Sequence, residues 1–243
     1  YNTNGSRDNT FGSSGILQLG TFSASFDNNV RVALQSSGNI LCVMHGIIYR
    51  YTPTGVLDWS FGTSGQVITG YTLSANVLPS NILVQSDDKI VISVATSFWN
   101  GITEIDTTFI SRYNSDGSID MGYGSGGTVI VIDSVVSEYP PLLQSDGKLL
   151  VYSGIKGFYS SQPSFQLTRL LNTGTLDVSY GVSGKKNIVL NSVPPYYAEP
   201  FLQSDDKLIL KSAPDSYHST LITRYNNNGT LDSLFGVLGS ITV

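Results

Sequence analysis

The residues able to do chemistry are few, and their spacing assembles no reaction. Two histidines and one cysteine stand among 243 residues. His45 ends an apolar run and His218 lies in a loop beside Ser216 and Ser219, while no Gly-x-Ser-x-Gly elbow surrounds a serine nucleophile. No Cys/His spacing suits a metal. Gly124-Ser-Gly-Gly127 leads into a strand pattern and not a helix, so it is no phosphate cradle. Asn114-Ser-Asp-Gly-Ser-Ile-Asp120 echoes part of an EF-hand loop, but its equivalents elsewhere lack the paired acids and the terminal glutamate is absent. Neither a metal nor a cofactor is therefore expected. Glycoside hydrolysis needs two carboxylates ~5–10 Å apart in a cleft. Glu104, Asp106, Asp133, Glu138 and Glu199 are the candidates, and nothing in the sequence pairs them. The expectation is a protein that is not an enzyme. The single cysteine, Cys42, excludes an intrachain disulfide and reads as a buried, inert thiol in an apolar strand.

The elements that carry these residues are organised by a repeat. Arg50, Arg112, Arg169 and Arg224 each open a stretch that runs through a glycine and an aspartate to an aromatic residue followed by glycine, at spacings of 62, 57 and 55. Residues 1–12 are a fifth copy without the arginine. A second motif, Gln-Ser followed by a turn, begins at Gln35, Gln85, Gln144 and Gln203, at spacings of 50, 59 and 59. Two markers sharing one period establish the repeat. The pattern predicts one tandem-repeat domain over residues 1–243, with units at about 1–49, 50–111, 112–168 and 169–223 and a partial unit at 224–243.

Each unit holds four short runs rich in β-branched and aromatic residues, bounded by Gly, Asn, Asp and Pro. Some alternate, as in Phe165 and Leu167 against Gln166 and Thr168; others, such as Leu149–Tyr152, are apolar on both faces. No capped helical period is present. The expected fold is all-β, a β-propeller-like array of four-stranded antiparallel blades, each burying its faces against its neighbours. Gly55, Gly117, Gly174 and Gly229 supply tight turns. Asp58, Asp120, Asp177 and Asp232 follow three residues later, placed to accept backbone N–H groups and lock the connection.

With strands lettered a to d outward, the Gln-Ser turn joins a to b and the Arg-led connection joins c to d. Both motifs therefore fall on one face. The dissimilar loops fall on the other: residues 97–104, 154–163 and 214–218 between b and c, and 70–77, 133–140 and 191–199 between d and a. They carry Phe98, Trp99, Phe158, Tyr159, Tyr196, Tyr197 and Tyr217, with Tyr71 and Tyr139. Aromatic anchors on scaffolded loops suit a protein or glycan partner. The alternative is that these rings lid the core.

These residues resemble the delta-60 repeat, a family marked by Arg-Tyr-Asn-x-x-Gly-x-Leu-Asp-x-x-Phe-Gly-x-x-Gly and Gln-x-Asp-Gly-Lys. The resemblance spans essentially the whole chain. It implies a propeller-forming element of secreted or surface proteins with no assigned catalytic residues. Ser37-Gly38-Asn39 departs from the Asp-Gly-Lys turn, and Trp59 and Met121 fill variable slots. The resulting expectation is a structural or adhesion module at the exterior of a cell or particle. A lectin is the alternative and a glycosidase the third reading.

Thirteen basic against eighteen acidic residues argue against a nucleic-acid partner. No apolar run reaches the ~18 residues a membrane span needs, and no signal segment is visible. Asn4-Gly-Ser and Asn228-Gly-Thr are glycosylation sequons on equivalent turns. Finally, d-type segments are counted five times, the first being Ile16–Leu19, against four sets of a, b and c. The surplus is compatible with an arc of a larger propeller, with self-assembly through the extra strand, or with a frayed strand.

Overall fold

The computed structural model describes residues 1–19, 30–71, 81–99, 104–133, 140–152, 164–189, 198–212 and 219–243. Among the described residues there is no helix, and sixteen strands form four four-stranded antiparallel sheets in chain order. Sheet I holds β1 (Arg31–Leu34), β2 (Ile40–Met44), β3 (Ile47–Tyr51) and β4 (Gln66–Ile68). Sheet II holds β5 (Asn81–Val84), β6 (Ile90–Trp99), β7 (Glu104–Tyr113) and β8 (Thr128–Asp133). Sheet III holds β9 (Leu142–Leu143), β10 (Leu149–Tyr152), β11 (Ser164–Leu170) and β12 (Lys185–Val189). Sheet IV holds β13 (Ala198–Leu202), β14 (Leu208–Ser212), β15 (Leu221–Tyr225) and β16 (Ser240–Thr242). Among the described residues the four sheets do not close into a ring.

The two-residue period of the second strands sets the stacking. In β6, Ile90, Ile92 and Val94 pack with Leu41, Val43 and Ile48 of sheet I, whereas Val91 packs with Leu149 and Val151 of sheet III. In β10 the alternate residues Leu150 and Tyr152 turn to Leu208 and Leu210 of sheet IV. A strand buried on both faces is apolar at nearly every position: Ile90–Ala95 and Leu149–Tyr152 are buried throughout, and Ser93 is the one residue among them without an apolar or aromatic side chain. Cys42 is buried too, and burial pushes its thiol up to about 11.

Several elements differ from expectation. Residues 97–99 and Glu104, expected in a loop, continue the β6–β7 ladder with Ile105 and Asp106, so that Ser97, Phe98 and Trp99 lie opposite Asp106, Ile105 and Glu104. Phe98, Trp99 and Ile105 favour a strand, and the pairing carries Ser97, Glu104 and Asp106 with them. Glu199 lies in β13 opposite Lys211, not in a loop. His45 opens a two-residue turn with Gly46, both at positive φ (52° and 74°), the conformation that fits the twist of a tight hairpin. Ile16–Leu19 forms no strand: only Ile16 bridges back to Gly12 and Ser13. Each other d strand pairs with the strand before its connection, as β4 does with β3, and no strand precedes this segment among residues 1–15.

The turn glycines do more than bend the chain. Gly117 has φ of 90°, and a Cβ there would lie 2.7 Å from Val67 Cγ2 and 2.9 Å from Phe61 Cε2 of sheet I. Gly70 has φ of 80° and nothing within 4 Å of the same position. Left-handed backbone costs a side chain about 1 kcal/mol, and overpacking adds about 1–3 kcal/mol. In chemical denaturation, Gly70→Ala is expected to cost about 1 kcal/mol and Gly117→Ala about 2–4 kcal/mol.

Candidate functional site

The two motifs of each repeat are halves of one cluster. Near the end of β7 lies Arg112, whose Nε donates to Asp120 Oδ2 at 2.8 Å, in the connection that follows. Asp120 Oδ1 accepts the Gly122 N–H, fixing the turn. The guanidinium carbon sits 4.4 Å from the centroid of the Tyr123 ring. Arg112 Nη1 donates to Gln85 Oε1 in the a–b turn of the same sheet and to the backbone carbonyl of Asn172 in sheet III. From the a–b turn, Lys89 Nζ reaches Asp120 Oδ2 at 3.1 Å. Both motifs are therefore on one side of the sheet, in contact.

The arrangement recurs at each junction. Arg50 stacks on Phe61, bonds Asp58 and donates to Ser115 O of sheet II. Arg169 stacks on Tyr180, bonds Asp177 and donates to Asn227 O of sheet IV. A planar guanidinium can stack, pair and reach across at once, which a lysine ammonium cannot. The glycine after each aromatic residue closes three junctions through the backbone: Gly12, Gly62 and Gly124 donate to Thr54 O, Asp116 O and Thr173 O. Gln35, Gln85 and Gln144 are buried here although they belong to surface turns. The first two donate into the next sheet, to Asp88 O and Gly147 O.

The a–b turns join by two different contacts. Asp88 and Asp206, both at φ of 61°, accept the N–H and hydroxyl of Ser36 and Ser145 in the preceding sheets. The first and third turns carry Gly38 and Gly147 at that place, and Asn172 bridges sheets II and III by bonding both Gln85 and Arg112. The alternation Gly, Asp, Gly, Asp along the array was not read from the sequence, although the four turns lay aligned in it.

The charged groups of this cluster are paired with one another. The Ser60 hydroxyl and N–H, with Arg50, hold the Asp58 carboxyl below its ordinary value. At Asp177 burial pulls upward, but hydrogen bonds from Ser179 and the charge of Arg169 outweigh it, and the carboxyl is lowered. Burial pushes the Tyr123 and Tyr180 phenols up to about 12. Among the described residues Tyr123 Oη and Gln144 Oε1 have no hydrogen-bond partner, and the place equivalent to Tyr123 in sheet I is Phe61. Among the described residues, no group of three or more His, Cys, Asp or Glu could hold a metal ion, and no helix is long and apolar enough to cross a membrane.

Of the aromatic residues expected to bind a partner, Phe98 and Trp99 sit at the end of β6, while Phe158, Tyr159, Tyr196, Tyr197 and Tyr217 lie outside the described residues. So does Tyr139. Tyr71 packs on the core: its ring lies 5.4 Å from Phe109 and its hydroxyl bonds Ser111. Among the acidic candidates, β7–β8 pairing sets Asp106 opposite Asp133, a juxtaposition no linear spacing reveals. Glu199 forms an ion pair with Lys211, and Glu138 lies outside the described residues.

A protein family described as a domain of unknown function (DUF5122) forming a β-propeller matches residues 85–123 and 144–180. Both spans run from the glutamine of one motif to the aromatic residue of the other, so the matched unit is the cluster itself. The match supports a β-propeller repeat family. No curated protein matches the chain.

A folded-state carboxyl held below 3.8 stabilises the fold above that pH, and the contribution drains away as pH falls through the folded value. The unfolding free energy is therefore expected to be level above about pH 5 and to fall below about pH 4. Asp177→Asn is expected to cost about 3 kcal/mol at pH 7 by stranding Arg169, and much less at pH 2.5, as measured by urea titration at each pH.

Proposed function

We propose that the protein is a non-enzymatic interaction module of an extracellular, cell-surface or particle-surface protein. It engages a protein or glycan through the loops opposite the repeated motifs. One observation carries this reading. The motif side of the array is consumed by contacts between sheets, with Arg50, Arg112 and Arg169 each bonded into the next sheet. Residues there have a structural duty that restricts change. The loops on the other side differ in sequence from unit to unit and are rich in aromatic residues. Variable aromatic loops on a constant scaffold are the usual basis of recognition. The exterior setting rests on the delta-60 resemblance. The β-propeller match is consistent with the scaffold and is silent about the partner.

The test is binding of the purified chain to a glycan array and to a panel of exterior proteins, repeated with Trp99→Ala and Tyr197→Ala. At least one ligand is expected to bind, with affinity reduced about tenfold or more by either substitution, as loss of an anchor near 1.4 kcal/mol implies. Binding that survives both substitutions would end the proposal.

A further inference from the structure

The outer margin of sheet II is guarded less than the margins of sheets I and III. Its last strand, β8, begins Thr128-Val-Ile-Val-Ile132, β-branched at every position and without charge, proline or glycine before Asp133. The corresponding strand of sheet I, β4, is only three residues long. That of sheet III, β12, opens on Lys185 and Lys186. Short edge strands and lysines are common guards against the pairing of a further strand, and β8 has neither.

Register fixes which backbone groups this margin offers. β8 pairs with β7 on one side and is the outermost strand of its sheet. Gly127 O accepts the Arg112 N–H, so Gly127, Val129 and Val131 turn their N–H and C=O groups to β7 and the alternate residues turn theirs outward. Thr128 spends its outward groups on a tight turn with Ser125. Ile130 and Ile132 follow, and among the described residues nothing pairs with their outward groups. The approach is open. Ile130 is 57% exposed, and a groove of about 440 Å³ lined by Ser125, Thr128, Val129, Ile130 and Gly174 lies beside the strand.

We infer that two copies of the chain join by antiparallel pairing of β8 with β8 of the second copy about a two-fold axis. Such a contact sets one patch against itself, so the strand must complement its own reversal. The register that pairs the free residues with one another sets Val131 opposite Val131 of the second copy. Ile130 of each copy then meets Ile132 of the other, and each pair exchanges two hydrogen bonds, four in all. Sliding the strands to set Ile130 opposite itself would bring Ile132 against Thr128, whose outward groups Ser125 already holds. Charges stay apart, because Asp133 falls opposite Val129 and not opposite its own copy. An uncharged edge gives a foreign strand no charge to recognise, whereas a second copy supplies the matching β-branched run. The two four-stranded sheets become one continuous sheet.

Sedimentation velocity of the 243-residue chain from about 1 to 100 µM tests this. A species twice the 26.1 kDa of the chain is expected to grow with concentration. Ile130→Lys, which gives β8 the guard that β12 has, is expected to weaken association about tenfold or more. Ile68→Lys, at the equivalent exposed place in β4, is expected to leave it unchanged. Amide exchange at Ile130 and Ile132 is expected to slow as the dimer forms. Val131→Cys is expected to cross-link the dimer on oxidation, since facing residues of a non-hydrogen-bonded pair lie about 4.5 Å apart at Cα, within disulfide reach. Val129→Cys, away from the axis, is expected not to. A single 26.1 kDa species at every concentration overturns the inference and leaves the edge to a strand of another protein. A dimer indifferent to Ile130→Lys, or one in which Ile130 and Ile132 exchange as fast as in the monomer, overturns it as well. These readouts do not depend on ligand binding by the aromatic loops.

Discussion

The structure depends on a buried guanidinium that serves two sheets at once. Arg50, Arg112 and Arg169 are at most 9% exposed, and a buried positive charge is tolerable only where its hydrogen bonds are met. Each is met by a fixed set of partners: an aromatic face beneath, an aspartate in the same connection, and a carbonyl in the next sheet. The last partner makes the arrangement cooperative. A sheet that does not have its neighbour leaves its arginine short of an acceptor, so the polar contacts and the apolar junctions favour the same stacking. In Arg224, which has no such neighbour among the described residues, the side chain is 22% exposed against 6% in Arg112.

This explains why two motifs separated by 15 to 27 residues travel together. Gln85 and Lys89 reach Arg112 and Asp120 directly, so a change in either motif strands a partner in the other. Where the set is altered, a compensation is present. Gly147 leaves out the aspartate that joins the turns at sheets I–II and III–IV, and Asn172 supplies a different bridge. The loops on the opposite side repeat neither motif and differ in sequence from unit to unit.

Much of this was legible in the sequence and some was not. The strand periods were plain because burial on both faces forces continuous apolar runs, as in Leu149–Tyr152, and because Gly and Asn punctuate the turns. The arginine that marks the repeat was visible as a marker, but its role was not. Linear spacing shows that Arg112 and Asp120 recur together and does not show that the guanidinium lies on Tyr123 or reaches Asn172. The β6–β7 hairpin was underestimated because Ser97 and Asp106 are ordinary loop residues, and only their pairing identifies them as strand. The pairing of Asp106 with Asp133 is likewise a product of register. Ile16–Leu19 was overestimated because strand composition does not make a strand without a partner to pair with.

The most direct measurement of the guanidinium's role is the unfolding free energy of Arg112→Lys beside that of the parent chain, at neutral pH and moderate salt. The substitution keeps the charge and removes the fork and the stacking plane. A loss of at least about 2 kcal/mol is expected, because one ammonium cannot replace the charge-assisted bonds to Asp120 and to the Asn172 carbonyl together. Unchanged stability would show that charge alone suffices and that the apolar faces hold the sheets together without the arginine.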